Sequence, residues 1–322
     1  MGAIAVLDPV QADLELVESE IQRVGQVEYP FLANLLEHVL STRGKRIRPA
    51  LVLLAASFHQ YRLQYLVPLA AAIELLHTAT LVHDDLIDNS PTRRGKPTLH
   101  NLTDRSVTVL VGDYLFAHAA SLCTETQNPR VMQVFGRTLM TICDGELKQI
   151  FTAGFWRQSR DDYYQKIERK TASLIRTATE TGAILSGAPE DQVDALRGYG
   201  YNLGMAFQIV DDVLDFVGDE ETMGKPVGSD LRQGTVTLPT ICLLEEDPEN
   251  RALRQIFDDG DASDEVVRSA VEAVYNSSGI AFARAEARRF ADVALEHLAR
   301  LPATPERAAL ESISDYVLDR VT

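Results

Sequence analysis

Two acidic clusters of the same form constrain this chain more than any other feature. The sequence DDLID occupies residues 84–88 and DDVLD occupies residues 211–215, each with mostly apolar flanks. On an α-helix the first and last aspartate of each cluster are four positions apart, so they lie about 6 Å from each other on one face and repel. Helices with such flanks are expected to pack inside the protein, where unpaired carboxylates either raise their pKa or bind cations.

A ligand set made only of carboxylates suits hard divalent cations, with Mg²⁺ first among them. A single DDxxD sequence is as readily a helix cap or a patch of surface charge. Two copies favour metal binding, because two facing metal sites can hold one diphosphate between them. The predicted metal site consists of the six aspartates of both clusters: Asp84, Asp85, Asp88, Asp211, Asp212 and Asp215.

The charge and cysteine content limit the remaining functions. A formal net charge of −16 argues against nucleic acid as a partner, because its phosphates need a basic face, and against a polybasic membrane patch. Three widely spaced cysteines without CxxC spacing imply neither a disulfide framework nor a thiolate metal site, so we expect a reducing cytoplasm. Residues 1–20 lack the basic region of a secretory signal, and charged residues interrupt every apolar run before it reaches the length of a membrane-spanning helix.

Apolar residues recur at intervals of three and four along almost the whole chain, whereas the alternation typical of strands is nearly absent. No linker-like or low-complexity segment divides the chain. The sequence therefore predicts an all-α protein with a single domain over residues 1–322 and about ten or more helices, consistent with a helical barrel larger than a four-helix bundle. The predicted helical stretches are 12–40, 50–57, 66–88, 106–124, 129–152, 161–186, 190–217, 236–244, 264–276, 280–300 and 305–320.

The segment 217–235 follows the second acidic cluster directly and holds four glycines and one proline. A loop of this length and composition beside a candidate site is typical of a functional lid. Its residues 218–225 are only superficially similar to a phosphate-binding loop, because the glycine spacing is one residue too long and Pro226 replaces the required Ser or Thr. Nucleotide binding is therefore not expected.

Two groups of cations complement the acidic clusters. The sequence GKRIRP at residues 44–49 places three cations before a predicted helix N-terminus, where backbone N–H groups and the helix dipole favour anions. The sequence RRGK at residues 93–96 follows the first cluster, and Arg side chains bind phosphate oxygens in pairs. Each cation alone is as readily a solvated surface charge, but together they predict two diphosphate sites, one bridged by metal and one held by cations. His77 lies two helical turns before Asp84 on the same face, although a lone histidine is more often structural.

With these residues assembled, the chain resembles the trans-polyprenyl diphosphate synthases, the enzymes that elongate isoprenyl chains head to tail. The resemblance runs in the expected order over most of the chain. Residues 44–49 resemble the GKxxRP element of the family, residues 81–95 its first aspartate-rich motif ending in RRG, Lys170-Thr171 its KT pair, and residues 207–215 its FQxxDDxxD motif.

The resemblance implies a fold and an activity. The fold would be that of the isoprenoid synthases, a single helical domain around a central cavity. The activity would be a prenyl transfer that condenses isopentenyl diphosphate with an allylic prenyl diphosphate (1'-4, trans), assisted by Mg²⁺ with three ions per active site. The family also implies a homodimer.

The resemblance also assigns roles to individual residues. Asp84, Asp88 and Asp211 would bridge Mg²⁺ to the allylic diphosphate, with Asp85, Asp212 and Asp215 in support. The residues expected to hold isopentenyl diphosphate are Lys45, Arg48, His77 and Arg94. The residues expected to hold the allylic diphosphate are Arg93, Lys170, Thr171, Gln208 and Lys225. The predicted catalytic residues are Asp84, Asp85, Asp88, Asp211 and Lys170.

The chain departs from the family pattern at one position. Many members have Gly-Lys where this chain has Gly234-Thr235, so a cation expected on the allylic diphosphate is absent. Slower ionisation or a different lid geometry would follow from this change.

Small side chains below the first acidic cluster bear on product length. Ala79 and Thr80 lie about one helical turn before Asp84, where short-chain members of the family tend to carry aromatic residues. Two small residues would leave the product tunnel open, which predicts a product longer than farnesyl, either geranylgeranyl or, preferably, a long chain of C30–C50. Phe135 and Phe116 are candidates for the tunnel floor, while Ala79 is as readily a core residue.

Two other functions remain as alternatives. A class I terpene cyclase would share the helical barrel and the first acidic motif, but its second metal site normally mixes Asn, Ser and Glu, and it needs no second diphosphate site. A non-catalytic subunit of a heteromeric synthase typically loses one acidic motif, whereas this chain keeps both.

Overall fold

The computed structural model describes residues 5–41, 44–151, 156–218, 226–260 and 262–320, and these are almost entirely helical. The prediction of an all-α protein is confirmed. The helices are Ala5–Val10 (3-10), Gln11–Arg23, Pro30–Leu40, Ile47–Ala56, Leu63–Ile87, Leu99–Leu102, Arg105–Glu125, Pro129–Phe151, Arg160–Ile167, Glu168–Ala172 (π), Ser173–Ser186, Glu190–Val217, Ser229–Arg232, Leu238–Glu246, Arg251–Phe257, Asp264–Asn276, Gly279–Leu298 and Pro305–Asp319.

The helices differ from the predicted stretches in a few places. The predicted stretch 12–40 is two helices, because Pro30 starts the second one at its first position. The helix Arg251–Phe257 was not predicted from the sequence. A short antiparallel hairpin, which pairs Thr92–Arg93 with Lys96–Pro97, interrupts the otherwise helical chain after the first acidic cluster.

The chain divides into two compact units. Unit one comprises residues 1–138, 174–200 and 297–312, and unit two comprises residues 139–173, 201–296 and 313–322. The first acidic cluster belongs to unit one and the second belongs to unit two. The single-domain organisation over residues 1–322 stays a prediction.

The core of unit one is built around the helix Leu63–Ile87, which we call the first aspartate helix. Its neighbours are Gln11–Arg23, Ile47–Ala56 and Arg105–Glu125. In the neighbouring helix Ile47–Ala56, every residue from Pro49 to Ala56 is buried, as expected for a helix that is apolar on all sides. The first aspartate helix and Arg105–Glu125 are also long enough and apolar enough to cross a membrane. However, 67% of an 18-residue apolar stretch of the first aspartate helix is buried inside the protein, as in a core helix.

The helix Glu190–Val217, which we call the second aspartate helix, contributes residues 201–217 to unit two. It lies very close to the π-helical turn, since a Cβ atom added to Gly204 would come within 2.5 Å of the Cα atom of Ala172. Only glycine permits this approach. The second acidic cluster therefore lies on a buried helix whose position is fixed by backbone contact.

Close helix packing in unit one predicts the effect of substituting Gly182. A Cβ atom there would lie 2.4 Å from the carbonyl oxygen of Val52, and neither backbone can yield easily. We expect Gly182→Ala to lower the free energy of unfolding by about 1–3 kcal/mol, as overpacking does, measured by urea denaturation.

The matched control is Gly136→Ala. Gly136 is also helical, but nothing lies within 4 Å of its added Cβ atom. This variant is expected to gain about 0.5–1 kcal/mol, because alanine loses less backbone entropy than glycine on folding. Equal effects of the two substitutions would contradict the packing proposed for Gly182.

Candidate active site

The three aspartates of the first cluster differ in their surroundings. Asp85 is buried, and the guanidinium of Arg93 binds both of its oxygens, with Nε donating at 2.9 and 2.8 Å and Nη2 at 2.7 Å from Oδ1. Asp84 is half-buried, and Asp88, at the end of the first aspartate helix, is exposed. Both oxygens of Asp85 are therefore bound by Arg93, whereas Asp84 and Asp88 are more accessible to solvent.

The hairpin after the first cluster turns through two residues with positive φ, Arg94 (51°) and Gly95 (75°). Two such residues in succession are typical of the tight turn that matches the twist of a two-stranded hairpin. A positive φ is uncommon in a residue with a Cβ atom, and such strain is often found at functional sites. The hairpin thereby presents Arg93 and Arg94 as neighbours with different contacts.

The side chain of Arg94 lies against Gly44. A Cβ atom added to Gly44 would lie 2.9 Å from Nη1 of Arg94, so this position of the guanidinium depends on the glycine. In the part of the chain that the structure describes, no carboxylate lies within ion-pair distance of Arg94. Burial lowers the pKa of Arg94, but arginine stays protonated in proteins. Among the described residues, Arg94 is therefore a cation that forms no direct ion pair, while the charge of Glu74 acts on it at longer range.

Asp85, Arg93 and Arg94 line a cleft in unit one. Part of its lining is apolar and includes Ile21, Leu40, Leu81 and Leu99. Its polar lining consists of His38, Arg46, Glu74, His77, Thr78, Asp85, Arg93, Arg94, Lys96 and Thr98. A concave, partly apolar site with convergent charged groups is the form expected of a ligand pocket.

His77 lies on the first aspartate helix and lines this cleft together with Asp85. Burial, together with the surrounding arginines, lowers the pKa of His77 well below its usual range. The imidazole is therefore neutral at pH 7, and one ring nitrogen is able to donate a hydrogen bond to an anion without adding charge.

The GKRIRP element begins its helix earlier than predicted. Because the helix starts at Ile47, Arg48 lies in its first turn and only Lys45 and Arg46 precede it. Lys45 is exposed and Arg48 is half-buried. The cations thus lie around the helix N-terminus rather than all before it.

In unit two, Asp215 is a fully buried residue that binds residues 228–230 of the predicted lid segment 217–235. Its Oδ1 accepts a hydrogen bond from Ser229 Oγ at 2.6 Å, and its Oδ2 accepts one from the backbone N–H of Asp230 at 3.0 Å. Its carbonyl oxygen accepts a further bond from the N–H of Gly228 at 2.8 Å. Asp215 therefore anchors residues 228–230 to the second aspartate helix.

Asp212 is also buried and bound by neighbouring side chains. Tyr163 Oη donates to its Oδ2 at 2.7 Å, and Gln208 Nε2 donates to its Oδ1 at 2.8 Å. Burial, reinforced by the nearby carboxylate of Asp230, raises the pKa of Asp212 to about 7. These donors fix the orientation of Asp212 within the helix.

Asp211 has a different partner, Arg320, which is the last described residue. Arg320, which follows the helix Pro305–Asp319, places Nη1 2.6 Å from Asp211 Oδ1. Its guanidinium also lies over the ring of Phe207, 5.2 Å from the centroid. Asp211 is half-buried, and the side chain of its partner is partly exposed.

The KT pair lies in the π-helical turn Glu168–Ala172, an irregularity that often marks functional sites. Thr171 Oγ1 donates to Gln208 Oε1 at 2.6 Å, so it extends the network around Asp212. Lys170 forms an ion pair of 2.8 Å with Glu146. Nearby, Lys166 Nζ donates to the carbonyl oxygen of Val236, next to Thr235, at 2.8 Å.

The structure thus groups the predicted residues within each unit. Unit one brings His77, Arg93 and Arg94 into one cleft, and unit two joins Thr171 and Gln208 to Asp212. Residues 219–225, which include Lys225 and belong to the predicted lid, lie outside the described residues.

Ala79 and Thr80, the residues predicted to set product length, lie on the first aspartate helix before the first acidic cluster. Ala79 is fully buried, and Thr80 is half-buried, with Oγ1 donating to the carbonyl oxygen of His77 at 2.7 Å. Phe135 is buried, and the ring of Phe116 lies 5.3 Å from that of His83.

Sequence reasoning missed several residues that contact predicted site residues of unit two. Tyr163, Glu146, Ser229 and Arg320 act through contacts between segments that are distant in the chain, and no local pattern marks them. Glu74 did carry a signal, because a carboxylate in an otherwise apolar helix stretch needs a partner.

The donor set fits a metal only in combination with a ligand. In the described ranges, no three side chains among His, Cys, Asp and Glu converge on one point. Mg²⁺ is usually bound by one or two carboxylates together with water and substrate phosphates rather than by a cage of protein ligands. The more accessible aspartates, Asp84, Asp88 and Asp211, match that mode of binding.

Comparison with known proteins agrees with these features. The family model described as Polyprenyl synthetase matches residues 29–274. Heptaprenyl diphosphate synthase component 2 of Geobacillus stearothermophilus is 40% identical over 305 residues, which cover 95% of either chain.

Solved structures resemble the chain over its full length. A polyprenyl synthase from Caulobacter crescentus CB15, complexed with calcium and isoprenyl diphosphate, has a TM-score of 0.94 at 34% identity, covering 100% of this chain and 98% of that one. A decaprenyl diphosphate synthase from Rhodobacter capsulatus has a TM-score of 0.93 at 38% identity and covers both chains completely. The predicted isoprenoid synthase fold is confirmed, and the chain belongs to the polyprenyl synthetase family.

Proposed function

We propose that this protein is a prenyltransferase that condenses isopentenyl diphosphate with an allylic prenyl diphosphate, 1'-4 and trans, to give a polyprenyl diphosphate. The observation that carries the proposal is the cleft of unit one, which brings the cation Arg94 and the neutral His77 together as donors for an anion. Membership of the polyprenyl synthetase family supports it. The all-carboxylate second cluster disfavours a terpene cyclase, and the presence of both clusters disfavours a non-catalytic subunit.

The six aspartates would divide into two roles. Asp85, Asp212 and Asp215 are buried and accept hydrogen bonds from protein donors, so they would hold their helices and loops in position. Asp84, Asp88 and Asp211 are more accessible, and we assign the metal ligands to them. Bound Mg²⁺, with three ions per site, would supply positive charge to the departing diphosphate.

The cations of the chain would bind and orient the two substrates. Lys45, Arg48, His77 and Arg94 would hold isopentenyl diphosphate. The allylic diphosphate would be held by Arg93, Lys170, Thr171, Gln208 and Lys225. Preorganised positive charge stabilises the charge that grows on the diphosphate as the allylic C–O bond breaks. The isopentenyl double bond then attacks the allylic cation, and the proton lost from the adduct passes to the departing diphosphate.

The proposal also includes the length of the product, the oligomeric state of the protein and its location in the cell. Relatives named heptaprenyl and decaprenyl diphosphate synthase support a long-chain product. We also propose that the protein is a homodimer and that it lies in the cytoplasm. The homodimer is supported by exposed apolar side chains such as Leu110, 65% exposed, on Arg105–Glu125. The relative named component 2 makes a second type of subunit the alternative, and activity of the purified chain alone would exclude it.

Substitution of the accessible aspartates tests the proposed function. Asp84→Asn and Asp211→Asn are expected to lower kcat by roughly a hundredfold or more, because each removes a charge that acts on the transition state. The assay contains purified protein, Mg²⁺, isopentenyl diphosphate and farnesyl diphosphate, and circular dichroism checks that the variants are folded.

The control for these variants is Asp315→Asn, which changes an exposed carboxylate on the helix Pro305–Asp319. Its kcat should equal that of the wild type. Near-normal rates in the Asp84 and Asp211 variants would refute the assignment of the metal ligands.

Product length tests the role of the small residues below the first cluster. Ala79→Tyr is expected to shorten the product, because a ring in place of a methyl group would block a tunnel that passes this turn of the helix. Mass spectrometry of the products measures the effect. Since Ala79 is fully buried and a large side chain there strains the core, Thr80→Tyr at the half-buried neighbour provides a second variant. Unchanged products in folded forms of both variants would rule out the tunnel assignment.

A further inference from the structure

Arg46, the central cation of the GKRIRP element, has an unusual backbone conformation. Its φ of 54° and ψ of 32° lie in the left-handed region, which is unfavourable for a residue with a Cβ atom. It stands immediately before the helix Ile47–Ala56, between Lys45 and Arg48. A strained conformation of this kind persists only where surrounding contacts hold it.

The contacts of the Arg46 side chain stabilise this left-handed backbone conformation. Nε donates to Glu18 Oε2 at 2.9 Å, and Nη2 lies 2.8 Å from the same oxygen. Nη1 donates to Glu74 Oε1 at 2.7 Å. Glu18 belongs to the helix Gln11–Arg23 and Glu74 to the first aspartate helix, so a single side chain links the GKRIRP element to two other helices.

The electrostatics of the cleft separate Arg46 from the other cations. Two carboxylates neutralise Arg46, whereas Arg94 in the same cleft has no carboxylate within ion-pair distance among the described residues. Glu74 lines the cleft, is only 6% exposed, and lies three residues before His77. A buried carboxylate in that place would repel an anionic ligand if Arg46 did not compensate its charge.

We propose that Arg46 is a positioning residue for the isopentenyl diphosphate site, an inference that rests on the proposed function. Its ion pairs with Glu18 and Glu74 hold the left-handed turn, and the turn fixes the direction in which Lys45 and Arg48 are presented. The same ion pairs mask the negative charge of Glu74 beside His77. Arg46 itself does not bind the substrate.

The test separates this role from a merely structural one through the two substrates. Arg46→Gln is expected to raise KM for isopentenyl diphosphate roughly tenfold or more, the effect of losing hydrogen bonds between charged groups, while KM for the allylic diphosphate changes less than about twofold. Arg46→Lys, which keeps the charge, should give an intermediate KM. The double variant Arg46→Gln/Glu74→Gln should recover part of the loss, because the uncompensated carboxylate is then absent.

Two further variants complete the experiment. Arg23→Gln is the control, since Arg23 also forms an ion pair on the helix Gln11–Arg23 but is exposed, and its KM values should match the wild type. If Arg46→Gln does not fold, Glu18→Gln breaks only the more accessible half of the contacts and should raise KM for isopentenyl diphosphate by a smaller factor.

The outcomes distinguish this inference from the proposed function. A similar rise in both KM values, or a lower melting temperature with unchanged KM values, would overturn the positioning role while elongation by the wild type upholds the proposed function. If the wild type neither elongates farnesyl diphosphate nor binds isopentenyl diphosphate in titration calorimetry, the proposed function fails and this inference fails with it.

Discussion

The mutual repulsion of aspartates on buried helices is the constraint on which the rest of the structure depends. The chain relieves part of it with its own donors: Arg93 binds Asp85, Tyr163 and Gln208 bind Asp212, and Ser229 binds Asp215. A buried carboxylate without such a partner would cost several kcal/mol or lose its charge. The aspartates that remain accessible are then held at fixed positions by their bound neighbours, which is the preorganisation that a metal and diphosphate site requires.

The same principle orders the cations of unit one. Arg46 and Arg93 each bind carboxylates of their own chain, whereas Arg94 is held against Gly44 without one among the described residues. The cleft therefore contains a cation that forms no ion pair among the described residues, Arg94, together with a histidine that burial keeps neutral. This distribution lets a protein with a net charge of −16 offer a local site for an anion.

The sequence predicted the features that depend on local pattern. Helical periodicity located the first and second aspartate helices, and it placed His77 on the first of them, because spacing along one helix determines which side chains share a face. It did not predict the partners of Asp211 and Asp212, since Arg320 and Tyr163 reach them only through tertiary packing. It also missed the π-helical turn Glu168–Ala172, because one additional residue in a turn barely alters the apolar periodicity.

The division of the aspartates into accessible and protein-bound groups is most directly tested by a crystal structure with Mg²⁺ and an unreactive thio-analogue of the allylic diphosphate. The account predicts metal ions coordinated by Asp84, Asp88 and Asp211 together with diphosphate oxygens, while Asp85, Asp212 and Asp215 keep the hydrogen bonds described above. Metal ions coordinated by Asp85, Asp212 or Asp215, or a diphosphate bound without metal at either cluster, would contradict it.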